Sequence, residues 1–323
     1  MKKLDDLKRA VLANIELNAE LTTAELSRAI SLRQSTVTRV TKYLEQGKLI
    51  DIAPFINPFV LGYRLTNFFF ALSSTNRSNK EKIFRFIRET PGVSWGAELG
   101  GRFQFGVCIL SRTSDEVLRI LEKLQSLSIS QMRDKEVVEQ LSFTMFPGKF
   151  LTKKIVGKSE LTRAPSSKSF TADDEDYRIL NALINGATSI RETARRLGRP
   201  HSSIDWRVNR LRDVGVFKGF IYKRSSLILG TLEFMATITI SRRTAELRES
   251  LYKFCKMHPH VIFFIEVLGA WDFELRLEVE RIEQATETCD QLRQEFDSEI
   301  LSLELVPILG KIKAAGLPLS AKS

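Results

Sequence analysis

The sequence predicts an α+β protein made of two winged helix-turn-helix domains and two ferredoxin-like βαββαβ modules in tandem. Three observations predict it. The chain repeats itself at one offset: Asp5–Asp6 match Asp173–Asp174, Val11–Leu12 match Ile179–Leu180, Leu61–Gly62 match Leu229–Gly230, and Phe105 matches Phe273. Each copy opens with three short helical patterns. Each then changes to period-two strands and helices in the order β-α-β-β-α-β. The expected boundaries are 1–62 and 171–230 for the helix-turn-helix domains, 63–147 and 231–315 for the modules, 148–170 for a basic linker, and 316–323 for a tail.

The elements follow in order. Leu4, Leu7, Val11, Leu12 and Ile15 recur at helical spacing. "LTTAELSRAI" gives a second helix and "SLRQSTVTRVTKYLEQG" a third. In that third helix Ser31 is the expected N-cap, Gln34 the partner in a capping box, and Gly47 a left-handed stop. The register slips by one residue near the second helix, where Glu25 pairs with Glu192; farther on, Arg39 pairs with Arg207 and Gly47 with Gly215. The second copy offers "TSIRETARRLG", then Pro200 at a first helical position and Gly215 as the stop. "KLIDIAPFI" and "VFKGFIYKR" are read as the β-hairpin wings. In the second module "LEFMATITIS", "HVIFFIEVLG", "WDFELRLEVE" and "ILSLELVPIL" are strands; "TAELRESLYKFCKMHP" and "RIEQATETCDQLRQEF" are helices.

Net charge is +10 over 323 residues, and it is clustered. Residues 1–50 carry nine basic against six acidic side chains, 148–170 six against one, and 171–224 eleven against seven. A polyanion partner accounts for basic clusters at helix-turn-helix segments, through release of condensed counterions; a plain solubility charge is the alternative. Cys108, Cys255 and Cys289 have no CxxC spacing, which argues against a disulfide framework or a zinc site. No apolar run approaches the roughly 20 residues of a membrane helix. The expectation is a cytoplasmic protein with no metal and no cofactor.

The third helix of each unit carries the candidate reading residues. In "HSSIDWRVNRLRDVG", Ile204, Val208 and Leu211 form the apolar back. His201, Ser202, Ser203, Trp206, Arg207, Asn209 and Arg210 remain for a DNA groove and its phosphates. In the first unit the candidates are Arg33, Gln34, Ser35, Thr36, Thr38, Arg39 and Lys42. Trp206 is open to a second reading, packing under the wing, and Asp205 to pairing with an arginine of its own helix.

The opening Asp-Asp…Ile-Leu of "DDEDYRILNAL", the helix end "RVNRLRDVGV", the Leu-Gly before each module and the turn "GAWDF" together resemble the Lrp/AsnC family of transcription regulators. The resemblance covers nearly the whole chain except linker and tail. It implies double-stranded DNA as a partner and module pairing within the chain or between chains. It also implies a small effector, commonly an amino acid, beside the Gly-x-x-Asp turn, which carries over to Gly269 and Asp272. In the first copy "GRFQF" has Gln104 where Asp272 stands, which implies a lost effector site. The alternative for Asp272 is that it only fixes its turn.

Siroheme decarboxylases resemble the same architecture and use histidine and arginine around the second and third module strands. Here the three histidines are His201, His258 and His260, and those strand-turn-strand segments contain none. The sequence therefore leads to the expectation that the chain is no enzyme. A pure assembly protein is the third alternative.

Overall fold

The computed structural model describes all residues except 1–3, 75, 128–130, 153–157, 167–169, 225–228, 315–318 and 320–323. Most of the tail, and Lys153 and Lys154 of the linker, lie outside the described residues. The first helix-turn-helix contains α1 (Asp6–Ile15), α2 (Thr23–Ile30) and α3 (Gln34–Gln46), followed by β1 (Ile50–Ile56). Module 1 contains β2 (Arg64–Leu72), α4 (Arg77–Glu89), β3 (Val93–Leu99), β4 (Phe105–Ser111), α5 (Ser114–Gln125) and β5 (Met132–Met145). A short strand β6 (Leu161–Arg163) lies within the expected linker and pairs with the end of β5. The second helix-turn-helix has α6 (Asp174–Ile184), α7 (Ile190–Leu197), α8 (His201–Asp213) and β7 (Phe217–Arg224). Module 2 has β8 (Leu232–Ile240), α9 (Ala245–Met257), β9 (Val261–Gly269), β10 (Phe273–Val279), α10 (Ile282–Glu295) and β11 (Ile300–Ala314). The two modules have the predicted βαββαβ order.

Local chemistry sets the helix ends. Thr22 caps α2 in a full capping box with Glu25, and Asp173 does the same for α6 with Asp176. The third helix starts differently from expectation. Arg33 is its N-cap without a side-chain bond, while Ser31 closes α2 in the left-handed region at φ 55°. Pro200 likewise stands one position before α8, as its N-cap. At the far end Gly47 is right-handed, and Lys48 takes the left-handed place at φ 53°, where the second copy has Gly215 at φ 83°. The offset between copies is therefore one residue shorter through α3 and α8 than the Arg39–Arg207 match implies. Trp206 is the sixth residue of α8, and its counterpart, the sixth of α3, is Arg39.

The wings are shared. β1 and β7 form no separate hairpins; they pair with each other, antiparallel, with Ala53 opposite Ile221. Each unit thus supplies one strand of a common ribbon, and each strand finds its hydrogen bonds in the other unit. The modules interlock in the same manner. Beyond its own partner β2, β5 pairs with β9 of module 2; beyond β8, β11 pairs with β3 of module 1. That same β2–β5 ladder closes the sheet on itself. Where the modules meet, Phe69, Phe103, Val138, Met235, Val267, Trp271 and Val306 form one core, and the turn residues Phe103 and Trp271 lie 6.1 Å apart between ring centres. The module pairing expected within or between chains occurs within this one.

Each helix-turn-helix leans on the other unit's module. Arg9 of α1 pairs with Glu280 at 2.8 Å, and Tyr177 of α6 shares a cluster with Val60, Leu61, Leu65 and Leu110 of the first unit. The two junctions differ in chemistry. On one side Arg224 is buried between Glu16 and Glu278, at 2.7 Å from the latter, and Glu16 also accepts the Gly148 N–H at 2.6 Å. The positions related to these by the repeat are Ile56, Ile184 and Leu110, which pack in the apolar cluster of the other junction. A buried ion triad and an apolar triad therefore hold equivalent places.

Removing one member of a buried ion network strands the others without water. Glu16→Ala is expected to cost about 3–5 kcal/mol in urea unfolding. Importing the apolar triad, Glu16→Ile with Arg224→Ile and Glu278→Leu, is expected to return stability to within about 2 kcal/mol of the parent. A triple variant as unstable as the single one would show that the two solutions are not interchangeable.

Candidate nucleic-acid interface

The helix α3 buries Val37, Val40 and Leu44 against its own domain. That leaves Arg33, Gln34, Ser35, Arg39 and Lys42 exposed, with Thr36 and Thr38 half-buried beside them. The side chains of Arg33, Gln34, Ser35 and Lys42 have no hydrogen-bond or ion-pair partner among the described residues. Asp5, the N-cap of α1, feels the charge of Arg39 after its stronger bonds to Lys8. This face offers guanidinium, amide, hydroxyl and ammonium donors at helical spacing, which suits base edges and phosphates.

Helix α8 is the same length but spends its cations differently. Ile204, Val208 and Leu211 are buried as expected. Arg207 turns to α6, with Nη1 2.8 Å from Asp173 and 3.0 Å from Asp176. Arg210 also pairs with Asp176, whose side chain is fully buried, and Arg212 pairs with Glu20 of the first unit. Burial is the largest single influence on Asp173 and opposes its charge, but the hydrogen bonds from Arg207 and the Asp176 N–H, with the charges of Arg207 and Arg210, together hold that carboxyl below the usual range. Asp205 takes the Asn209 amide at 3.3 Å, where pairing with an arginine was expected. His201, Ser202, Ser203, Trp206 and Asn209 remain exposed. Trp206 is 62% exposed, so it does not pack under the wing. Sequence position alone placed Arg207 and Arg210 with the reading residues; the acid pair at Asp173 and Asp176, three residues apart at the start of α6, is the signal that claims them.

The Gly269–Asp272 turn joins β9 to β10. A Cβ at Gly269 would meet the Val137 carbonyl oxygen at 2.5 Å, so close approach of β5 requires glycine there. The Asp272 carboxylate accepts the Ile240 N–H at 3.0 Å and pairs with Arg243 at 3.1 Å. Gln104 does the same structural task in module 1: its Oε1 accepts the Leu72 N–H at 3.0 Å. The surrounding backbone bonds also correspond, Asp272 N–H to Ile238 and Gln104 N–H to Phe70. The neutral side chain stands where no arginine follows, since the position matching Arg243 is Thr75. An effector ammonium at Asp272 would have to displace Arg243.

A cavity of about 1100 Å³ lies between α1, the segment after β5, and the end of α9. Asp6, Lys149, Phe150, Lys256, Met257 and His260 are among the residues lining it. The Lys149 ammonium donates to the Cys255 carbonyl at 2.9 Å and sits over the Phe146 ring. Burial pushes its pKa down to about 8. Among the described residues no cluster of histidine, cysteine and carboxylate side chains could hold a metal ion, and no helix is long and apolar enough to cross a membrane.

No family profile matches the chain. Two helix-turn-helix-type transcriptional regulators, both uncharacterized, align with it at 34% identity. The one from Pyrococcus horikoshii does so over 67 residues, 20% of this chain and 42% of its own length. The one from Pyrococcus furiosus does so over 101 residues, 31% of this chain and 67% of its own length. The chain thus spans less than half the length of the first of these relatives. Among solved structures, a siroheme decarboxylase follows 97% of this chain and 94% of its own, with a TM-score of 0.62 and 14% identity. The same enzyme in complex with an iron-uroporphyrin III analogue aligns with a TM-score of 0.61. This corrects the expectation that the chain is no enzyme: the tandem architecture it follows from end to end is one that an enzyme uses. The absence of histidine from two strand pairs was too narrow a ground for exclusion.

The turn geometry separates two roles for Asp272. Asp272→Asn keeps an acceptor for the Ile240 N–H and is expected to cost less than about 1 kcal/mol in thermal unfolding, the worth of a partly exposed ion pair. Asp272→Ala leaves that N–H unpaired and is expected to cost about 1–3 kcal/mol. Equal losses for both variants would place the stabilisation in the charge instead.

Proposed function

This chain belongs to the helix-turn-helix family of Lrp/AsnC-type regulators, and from that premise we propose that it binds double-stranded DNA as a one-chain pseudo-dimer and regulates transcription. The observation that carries this reading is the exposed, unpaired donor face of α3: the side chains of Arg33, Gln34, Ser35 and Lys42 have nothing to bind within the described chain. The shared β1–β7 ribbon supports it, because it fixes the two helix-turn-helix domains to each other. Two different reading helices in fixed relation suit an asymmetric site better than a palindrome. Selection of bound duplexes from a random pool tests this. The expected result is a defined, asymmetric site. Gln34→Ala is expected to weaken binding by about 1–3 kcal/mol and relax one position, and Lys42→Ala to lower the salt dependence by about one counterion. Sequence-blind binding or no binding would overturn the reading.

A second reading is favoured by the cavity, which combines the lysines Lys149 and Lys256 with the apolar Phe150 and Met257. Such a lining suits a flat apolar body bearing carboxylates, the description of a uroporphyrin-type tetrapyrrole. The end-to-end likeness to a siroheme decarboxylase supports it at the level of fold. Titration with iron-uroporphyrin III, followed in the Soret band, is expected to saturate at one equivalent per chain. Lys149→Met is expected to weaken it about tenfold, the loss of one charge-assisted contact of ~1.4 kcal/mol. An unchanged spectrum would remove this reading.

A further inference from the structure

We propose that the two reading helices recognise chemically different half-sites, and that the α8 half-site is read through thymine methyl groups by the indole of Trp206. This rests on the DNA-binding reading above. Position six of each helix faces outward, with Arg39 on α3 and Trp206 on α8. An arginine there takes guanine or phosphate; an indole has no acceptor and one donor, and mainly offers apolar area. In the major groove the thymine methyl is the apolar feature of a base edge.

Three observations converge on Trp206. It is 62% exposed, an unusual state for the largest apolar side chain, and one that binding relieves. The cations that would compete for its groove are withdrawn: Arg207 and Arg210 are held by Asp173 and Asp176, and freeing them would leave the buried Asp176 unpaired. The Arg210 guanidinium lies over the indole, 5.5 Å from its centre, and helps to hold the ring in place. Near it His201, Ser202 and Ser203 remain to bind base edges or the backbone.

The test uses the full chain and the site recovered by selection. Deoxyuridine replaces thymine in one half-site at a time, which removes the methyl and leaves every hydrogen-bonding group. Deoxyuridine in one half only is expected to weaken the parent protein about fourfold for each methyl contacted. That half is the one whose sequence preference relaxes in Trp206→Ala, and the variant is expected to ignore the replacement there. Trp206 is exposed, so the variant folds, and its unchanged response to the other half-site confirms that. Equal deoxyuridine sensitivity of parent and variant, or none in either, would overturn the proposal while leaving DNA binding intact. Failure to select any site would overturn the DNA reading itself, and this proposal with it.

Discussion

The exchange of β5 and β11 between the modules is the constraint on which the rest of the molecule depends. Each of these long strands pairs with its own module along one stretch and with the other module along another. Their backbone groups are satisfied only when both modules are present. The core around Phe103 and Trp271 then forms, and the sheet has far fewer open edges to protect. With the modules fixed, each helix-turn-helix has one place to dock, against the module of the other unit. The β1–β7 ribbon then sets the two domains in a single arrangement.

The sequence made the parts legible and hid their joints. Module order, the helices and most buried positions follow from periodicity, which is a local signal. The shared ribbon was not legible, because β1 and β7 each have the pattern of one half of a hairpin and nothing local names the partner. Lys48 in a left-handed turn was hidden because the expected glycine sits one residue earlier. The fate of Arg207 and Arg210 is a third instance: the helix pattern puts them outside, and a contact to another helix turns them to Asp173 and Asp176. Gln104 taught the reverse lesson. Its lack of charge drew attention to the effector site, while its structural task, the turn bond that Asp272 also makes, was not legible.

The candidate interface is thus unequal by construction. One helix offers free donors, and the other holds its arginines in an ion cluster and shows an aromatic ring. The cavity near Lys149 lies on one side of the molecule, where the first helix-turn-helix meets the second module. Reading and ligand chemistry would therefore reach that cavity's half of the molecule differently from the other half. The ionic junction at Arg224 is on this same side, so burial of charge and access to the cavity share one set of elements.

The charged and apolar triads at equivalent junctions have an evolutionary and a physical consequence. In a dimer of identical subunits every substitution appears twice, so both junctions must accept the same change at once. Joining the two units in one chain lifts that restriction, and each junction can be altered alone. It also takes closure of the sheet out of mass action. The paired modules do not separate on dilution, and the partner that fills each interface is always the other half of the same molecule. A separate single-unit protein would compete poorly for those interfaces, since a tethered partner is present at high effective concentration.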